Sequence, residues 1–438
     1  MAETAKLQRH IGLGFLILYG IGDILGAGIY GLVGKAAGQM GYAVWLAFLT
    51  SMIAAGLTGL SYASLGSRYP KAGGASFITL EAYGNKFLSY MIGLAVLASG
   101  LTSMATATRV FSGYFVGRFP SVGIEATMIL FACAIALIIF RGIRETMWVN
   151  AACTLTEVSG LLLIIFAGFS LIGEAPLLDA TTTSNPDGAI TLTLLLSGAV
   201  LTFYSFIGFE DILNVGEEVK EPKKNIPRGL LIAVAGSSII YMLISIIAVA
   251  VIPPPELAAS KQPLVDVAAR IAPWFSSDAF SLIAMFAVAN TCLLNFTMGS
   301  RMFYGMAKSK LLPSMLARVH STRGTPHIAI LSILAILLIL AFVGDVSSLA
   351  RATSVLLLIC FSIVNSALIL LKLRKTDWQG GFEVPIFVPA LGIVVCVAML
   401  TQTGPEEGKI AAAILTAIAL LYMILRPKDL SAMKEGAD

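Results

Sequence analysis

Apolar runs of about 20 residues recur along all 438 residues, each long enough to cross a hydrocarbon core roughly 30 Å thick. The pattern predicts twelve helical spans, at 12–34, 42–66, 87–116, 122–140, 147–173, 190–216, 229–252, 277–305, 327–344, 348–371, 386–403 and 409–425. An even count puts both termini on one side. Two of the polar connections are long. "GEAPLLDATTTSNPDGAI" follows span 5, and "PPPELAASKQPLVDVAARIAPW" follows span 7 and is expected to hold a short interfacial helix at 264–271. The first divides ten spans into five and five, so the second group starts from the opposite side of the membrane, as in transporters built from inverted repeats. The expected organisation is a tail at 1–11, repeats at 12–173 and 190–371, a last pair of helices at 386–425 and a tail at 426–438.

Composition agrees with the pattern. Hydrophobic residues make up 57% of the chain and charged residues 12%, against about 45–50% and about 25% in soluble domains. This excludes a soluble fold and predicts an all-α polytopic membrane protein whose surroundings are a lipid bilayer. With the N-terminus inside, most of the 29 Lys and Arg fall in inner segments, so the positive-inside rule puts both termini in the cytosol, across a cell membrane. The mildly basic "MAETAKLQRH" is then a cytosolic tail leading into span 1. The net charge of +4 is spread over these segments and gives no reason to expect nucleic acid. The five cysteines lie in apolar runs without CxxC spacing, which suggests neither a disulfide framework nor a zinc site. HExxH and GxSxG are absent, and His10, His320 and His327 fall in tail or loop positions. No catalytic group, metal site or cofactor is expected, and an enzyme is the weaker class.

The chemistry concentrates in span 1. "GIGDILGAGIYG", residues 20–31, puts five glycines and Asp23 at mid-membrane depth. Each Gly costs roughly 1 kcal/mol in a helix relative to Ala and opens non-helical backbone angles. Span 6 carries Gly208 beside Glu210 and Asp211. Small residues for close helix packing are one reading. The other is a pair of breaks, one in each half, whose freed amides and carbonyls line a polar cavity. Freed amides suit an anion and freed carbonyls a cation. A zwitterion satisfies both.

These residues resemble the amino acid-polyamine-organocation superfamily. "GDILGAGIYGLVG" is similar to its helix 1 signature, "YSFIGFEDILNVGEEVKEPKKNIP" to its helix 6 and the loop beyond. "RYPKAGGASF", "SRMFYGMAKSKLLP" and "GTPHIAI" resemble its segments around helices 2, 8 and 9. The resemblance implies a LeuT-like five-plus-five inverted repeat with twelve transmembrane helices and discontinuous helices 1 and 6. It implies a secondary active transporter that moves amino acids by alternating access. The substrate carboxylate is expected at the amides of Gly26, Ala27 and Gly28, and its ammonium at the carbonyls of Ile24, Tyr204 and Ile207. Tyr30, Phe206 and Phe209 stand where walls or gates are expected, with ordinary core packing as the alternative. Helix 3 is expected to add Met104, Leu101 and Thr108, and helix 8 Asn290 and Asn295.

Glu157, in span 5, departs from the pattern, because several proton-coupled relatives have a lysine there. A carboxylate at that depth costs at least roughly 2.5–3.5 kcal/mol on insertion scales. It is read as a proton carrier, as a ligand for a cation or as an acceptor for the broken helix. Asp23 lies at the same depth, and the two are expected to face each other as the coupling pair. Asp23 has a second reading as partner of a substrate amine. Glu210 is expected to bond loose helix 6 amides or to form part of an inner gate, with proton coupling as a lesser role. Arg109 is expected to snorkel, and Glu217, Glu218 and the cluster from Lys220 to Arg228 to lie at the inner surface. Protons are the expected coupling ion. Sodium symport, amino acid exchange and a polyamine or cationic amine carrier are the alternatives.

Overall fold

The computed structural model describes residues 7, 9–118, 121–260, 262–343, 346–374 and 381–425. The tail expected at 426–438 lies outside them, as do residues 1–6 and 8 of the tail expected at 1–11. Among the described residues nine helices are long and apolar enough to cross a membrane. Three shorter apolar helices, His327–Phe342, Phe387–Leu400 and Gly408–Ile424, accompany them. Lipid cannot hydrogen-bond a backbone, so each crossing segment must satisfy its own amides and carbonyls as a helix.

In chain order the helices are α1 (Leu13–Met40), α2 (Val44–Arg68), α3 (Gly74–Tyr83), α4 (Lys86–Arg118), α5 (Ile124–Arg141), α6 (Ile143–Gly168), α7 (Leu192–Phe203) and α8 (Pro222–Val251). They continue with α9 (Pro254–Ala259), α10 (Pro263–Ile271), α11 (Ser277–Lys308), α12 (His327–Val343), α13 (Val346–Leu373), α14 (Phe387–Leu400) and α15 (Pro405–Leu425). The short helix expected at 264–271 is α10. The run expected as span 6 does not stay α-helical to 216. After Phe203 it continues as tight 3-10 pieces, Tyr204–Phe206, Phe209–Leu213 and Gly216–Glu218.

α1 is the centre of the molecule, touching α6, α7, α8, α9 and α11. α2 packs on α8, and α4 on α11 and α13. The outer faces are apolar: Phe166 is 75% exposed and Ile424 78%. Side chains of that kind belong in lipid rather than water. Polar groups turn inward instead, and Asp23, Glu157, Glu210, Asp211, Glu218 and Arg301 are all buried. The protein is therefore a multi-pass membrane protein with its charge chemistry at the centre.

Candidate functional site

α1 breaks at Gly26, whose φ of 10° and ψ of −153° lie outside the helical region, leaving halves at 13–25 and 27–40. The break strips carbonyls of their intrahelical donors. Tyr241, fully buried in α8, meets the loss: its hydroxyl donates to the Ile24 carbonyl, with the Leu25 carbonyl at 3.3 Å. The Ser205 carbonyl, beside the second break, lies 2.7 Å from the same oxygen. One hydroxyl thus joins the two interruptions. The halves cross closely there, because a Cβ on Gly28 would sit 2.7 Å from the Ser205 Cα. Tyr241→Phe keeps the edge contact with Phe206 (5.1 Å between centroids) and removes the donor. It is expected to lower the thermal midpoint by an amount equivalent to about 1–3 kcal/mol, the cost of buried carbonyls left short of a donor. Differential scanning fluorimetry of purified protein checks this.

The second break turns at Gly208, with φ 126°, an angle that side-chain-bearing residues rarely adopt. Its missing Cβ also lets it lie against Asp23, since a Cβ there would come within 2.8 Å of the Asp23 carbonyl. The freed Gly208 amide donates to the Glu210 carboxylate at 2.9 Å. Beside this turn three carboxylates meet. Asp23, Glu210 and Asp211 are each at most 5% exposed. The Asp23 carboxylate lies within electrostatic reach of those of Asp211 and Glu210. Among the described residues neither Asp23 oxygen receives a hydrogen bond.

Both breaks open on one cavity. α1 contributes Asp23, Ile24, Gly26 and Gly28, and the segment after α7 contributes Tyr204, Ile207, Gly208, Glu210 and Asp211. α4 adds Val96, Ser99 and Ser103, one face of a helix at i, i+3 and i+7. α11 adds Thr291, Asn295 and Met298, and α13 Thr353. Among the described lining residues there is no lysine or arginine to neutralise the three acids. The acids are not arranged for a metal either: among the described residues no group of three or more His, Cys, Asp or Glu could hold one.

The sequence profile of the amino acid permease family matches residues 13–425. The chain belongs to this family. It is similar to the branched-chain amino acid permease BcaP of Bacillus subtilis, with 24% identity over 91% of this chain and 89% of that one. It is also similar to the chloroplastic cationic amino acid transporter 9 of Arabidopsis thaliana, with 28% identity over 92% and 73%. The mouse cationic amino acid transporter 4 is 27% identical over 86% of this chain and 61% of its own length.

In this permease several expected site residues lie elsewhere than anticipated. Met104 and Thr108 are fully buried and Leu101 is largely so, and all three are outside the cavity lining. The helix turns Ser99 and Ser103 toward the space instead, and Thr108 faces Cys292. Asn290 also faces away: its amide donates to Thr154 at 3.0 Å, in a polar knot with Asn150 that presses on Gly22 of α1. Phe206 packs on Tyr241, and Phe209 between Tyr62 and Phe361, all within the core. Tyr30 lies against Phe280 with its hydroxyl 3.5 Å from the Glu157 carbonyl. None of these three aromatics lines the cavity. The side chain of Ala27 lies outside the described residues.

The pairing expected between Asp23 and Glu157 is not what the structure shows. The acidic neighbours of Asp23 are Glu210 and Asp211. Glu157 is buried on another side of α1, toward Tyr30 and Tyr241, with both carboxylate oxygens unpartnered and no place in the cavity lining. Equal depth along two helices does not fix the direction of either side chain. Arg109 donates to the Ala341 carbonyl at 2.7 Å, so it caps α12 backbone.

Glu218 is likewise not a surface residue. It is fully buried in a two-pronged ion pair with Arg301 of α11, at 3.0 and 3.2 Å. Removing one member of such a pair leaves an uncompensated buried charge, a cost of roughly 3–5 kcal/mol. Glu217 does reach the surface, where Lys308 pairs with it at 3.2 Å. The lone signal in the sequence for the buried pair is an arginine, Arg301, inside an expected span.

Proposed function

We propose that this permease is a secondary active transporter that carries amino acids across the cell membrane by alternating access. One observation carries the reading: both chain breaks open on the same cavity, and the amides and carbonyls that such breaks free suit the two charges of a zwitterion. The substrate carboxylate goes to the amides at 26–28, and the ammonium to the carbonyls of Tyr204 and Ile207. The ammonium takes over the Ile24 carbonyl from the Tyr241 hydroxyl. Asn295 and Ser103 supply polar contacts to the side-chain end. The matching positions of the two breaks support an inverted five-helix repeat at 12–173 and 190–371, followed by two helices, twelve spans in all, with both termini cytosolic.

Coupling is assigned to the acids of the cavity. Three carboxylates this close repel one another unless a proton or a cation sits among them. Asp23 and Asp211 can share a proton directly, with Glu210 held by the Gly208 amide beside them. Asp211 replaces Glu157 in the coupling pair. Glu157→Gln is therefore expected to retain most of the accumulation driven by an imposed pH gradient in proteoliposomes. Loss of that accumulation with exchange intact would restore Glu157 to the coupling step.

A second reading has its own support. An acidic cavity wall without lysine or arginine among its described residues also fits a substrate with a cationic side chain or a second amine, and two of the similar proteins are named as cationic amino acid transporters. The deciding experiment starts with a thermal-shift panel of amino acids and amines on the purified permease. Uptake of the best ligand into proteoliposomes follows, with a proton gradient, a sodium gradient or none. Saturable, stereoselective accumulation supports a carrier, and flux without saturation defeats it. Dependence on sodium alone defeats the proton assignment.

A further inference from the structure

Next to the cavity-lining parts of both breaks, the chain is held by contacts that the binding site does not use. The chain leading into α1 pairs with the chain leaving the second break: the Ile11 amide donates to the Glu218 carbonyl at 2.9 Å, and the Lys220 amide to the Ile11 carbonyl at 2.8 Å. Ile11, Ile212, Leu213, Val215 and Val219 are all buried there. Lys220, Lys223, Lys224 and Arg228, which follow directly in the chain, are exposed. The side chain of Glu218 is gripped by Arg301, which belongs to the unbroken helix α11 and is held further by Ser300 at 3.0 Å.

We infer that Arg301 is a positioning residue that closes the cavity at this point by holding both broken helices to α11 through the single residue Glu218. Its backbone carries the α1 side through the bridge to Ile11, and its carboxylate carries the junction to α11. Release of the carboxylate frees the Glu218 segment and the start of α1 together, so the two broken helices open as one event. A purely structural ion pair has no such consequence, because either helix could then move alone. The surrounding charges fit a latch that works by exchange of partners: Lys308 stands nearby on Glu217, whose carboxylate also accepts from the Ala72 amide at 3.3 Å. This inference rests on the alternating-access reading above.

The test uses the full-length permease with its five cysteines replaced and one reporter, Ser99→Cys, on the cavity wall. A membrane-impermeant maleimide is added on the face carrying Lys220, Lys223 and Lys224. The double variant Glu218→Gln/Arg301→Gln removes both charges and leaves none buried alone, and Arg301→Lys keeps the charge but loses the two-pronged fork. Both are expected to raise the labelling rate, the double variant about tenfold, the shift that loss of one charge-assisted hydrogen bond makes in an equilibrium. Substrate should slow the labelling in every variant. Labelling at the parental rate in both variants, with thermal midpoints restored, overturns the latch and leaves the pair purely structural. That outcome leaves the transport reading standing if counterflow persists. Failure of any amino acid or amine to protect the reporter defeats the transport reading while the labelling rates still judge the latch.

Discussion

Replacing Asp23 by Asn is expected to abolish accumulation against a gradient while leaving a folded, substrate-binding permease. The side chain is nearly isosteric, but it removes the acid whose two oxygens have no donor among the described residues. Under proton coupling, counterflow of a neutral amino acid continues in proteoliposomes, and an imposed pH gradient no longer drives uptake. Under the cationic reading, neutral ligands bind as before, and ligands with a second amine lose roughly tenfold to a hundredfold in affinity, the worth of a charge-assisted hydrogen bond. Calorimetric titration of a neutral and a basic amino acid into the purified variant separates the two. Unchanged gradient-driven uptake together with unchanged binding of both ligands would remove Asp23 from the mechanism. Asp211→Asn should copy the result, since its carboxylate shares the same contact.

Gly208→Ala should be the most damaging single-methyl substitution in the cavity. Two costs combine. A side chain at φ 126° is strained by about 1–3 kcal/mol, and a Cβ 2.8 Å from the Asp23 carbonyl requires a backbone shift that costs about 1–3 kcal/mol more. The shift pushes the second break away from α1, separating Asp23 from Glu210 and Asp211. Purified Gly208→Ala is therefore expected to lose both substrate-induced thermal stabilisation and transport, with a lower midpoint of its own. Gly84→Ala is the control for general glycine effects: it shares a positive φ of 62° but has open space where a Cβ would stand. Equal losses in the two variants would mean that close approach to Asp23 is not what matters.

The crossing helices were legible because each must satisfy its own backbone in lipid, which imposes runs of about 20 apolar residues on the sequence. The breaks were legible for the complementary reason, since clustered glycine and an acid have no place in a helix that merely spans. Direction was harder to read. Depth along α1 and α6 suggested that Asp23 faces Glu157, yet side-chain direction depends on how the helices are rotated, and local spacing does not report rotation. The segment after α7 shows why. Once it tightens into 3-10 turns at Phe209–Leu213, its neighbours no longer follow the 3.6-residue period, and Asp211 comes round to Asp23. In α4 an offset of one residue separates the expected Met104 from the observed Ser103. Glu218 and Arg301 stand 83 positions apart, so nothing in either local sequence announces their contact.

The hydroxyl of Tyr241 also bears on the return leg of the transport cycle. A carrier must cross the membrane empty if it is to accumulate rather than merely swap its cargo. An unladen site with a bare carbonyl at its centre resists that crossing, because the desolvated dipole has nothing to balance it. Here the Tyr241 hydroxyl is placed to supply a hydrogen to the Ile24 carbonyl. Under the alternating-access reading proposed above, such an internal understudy for the ammonium is expected to favour net uptake over obligatory one-for-one trade, and Tyr241→Phe to shift the permease toward exchange.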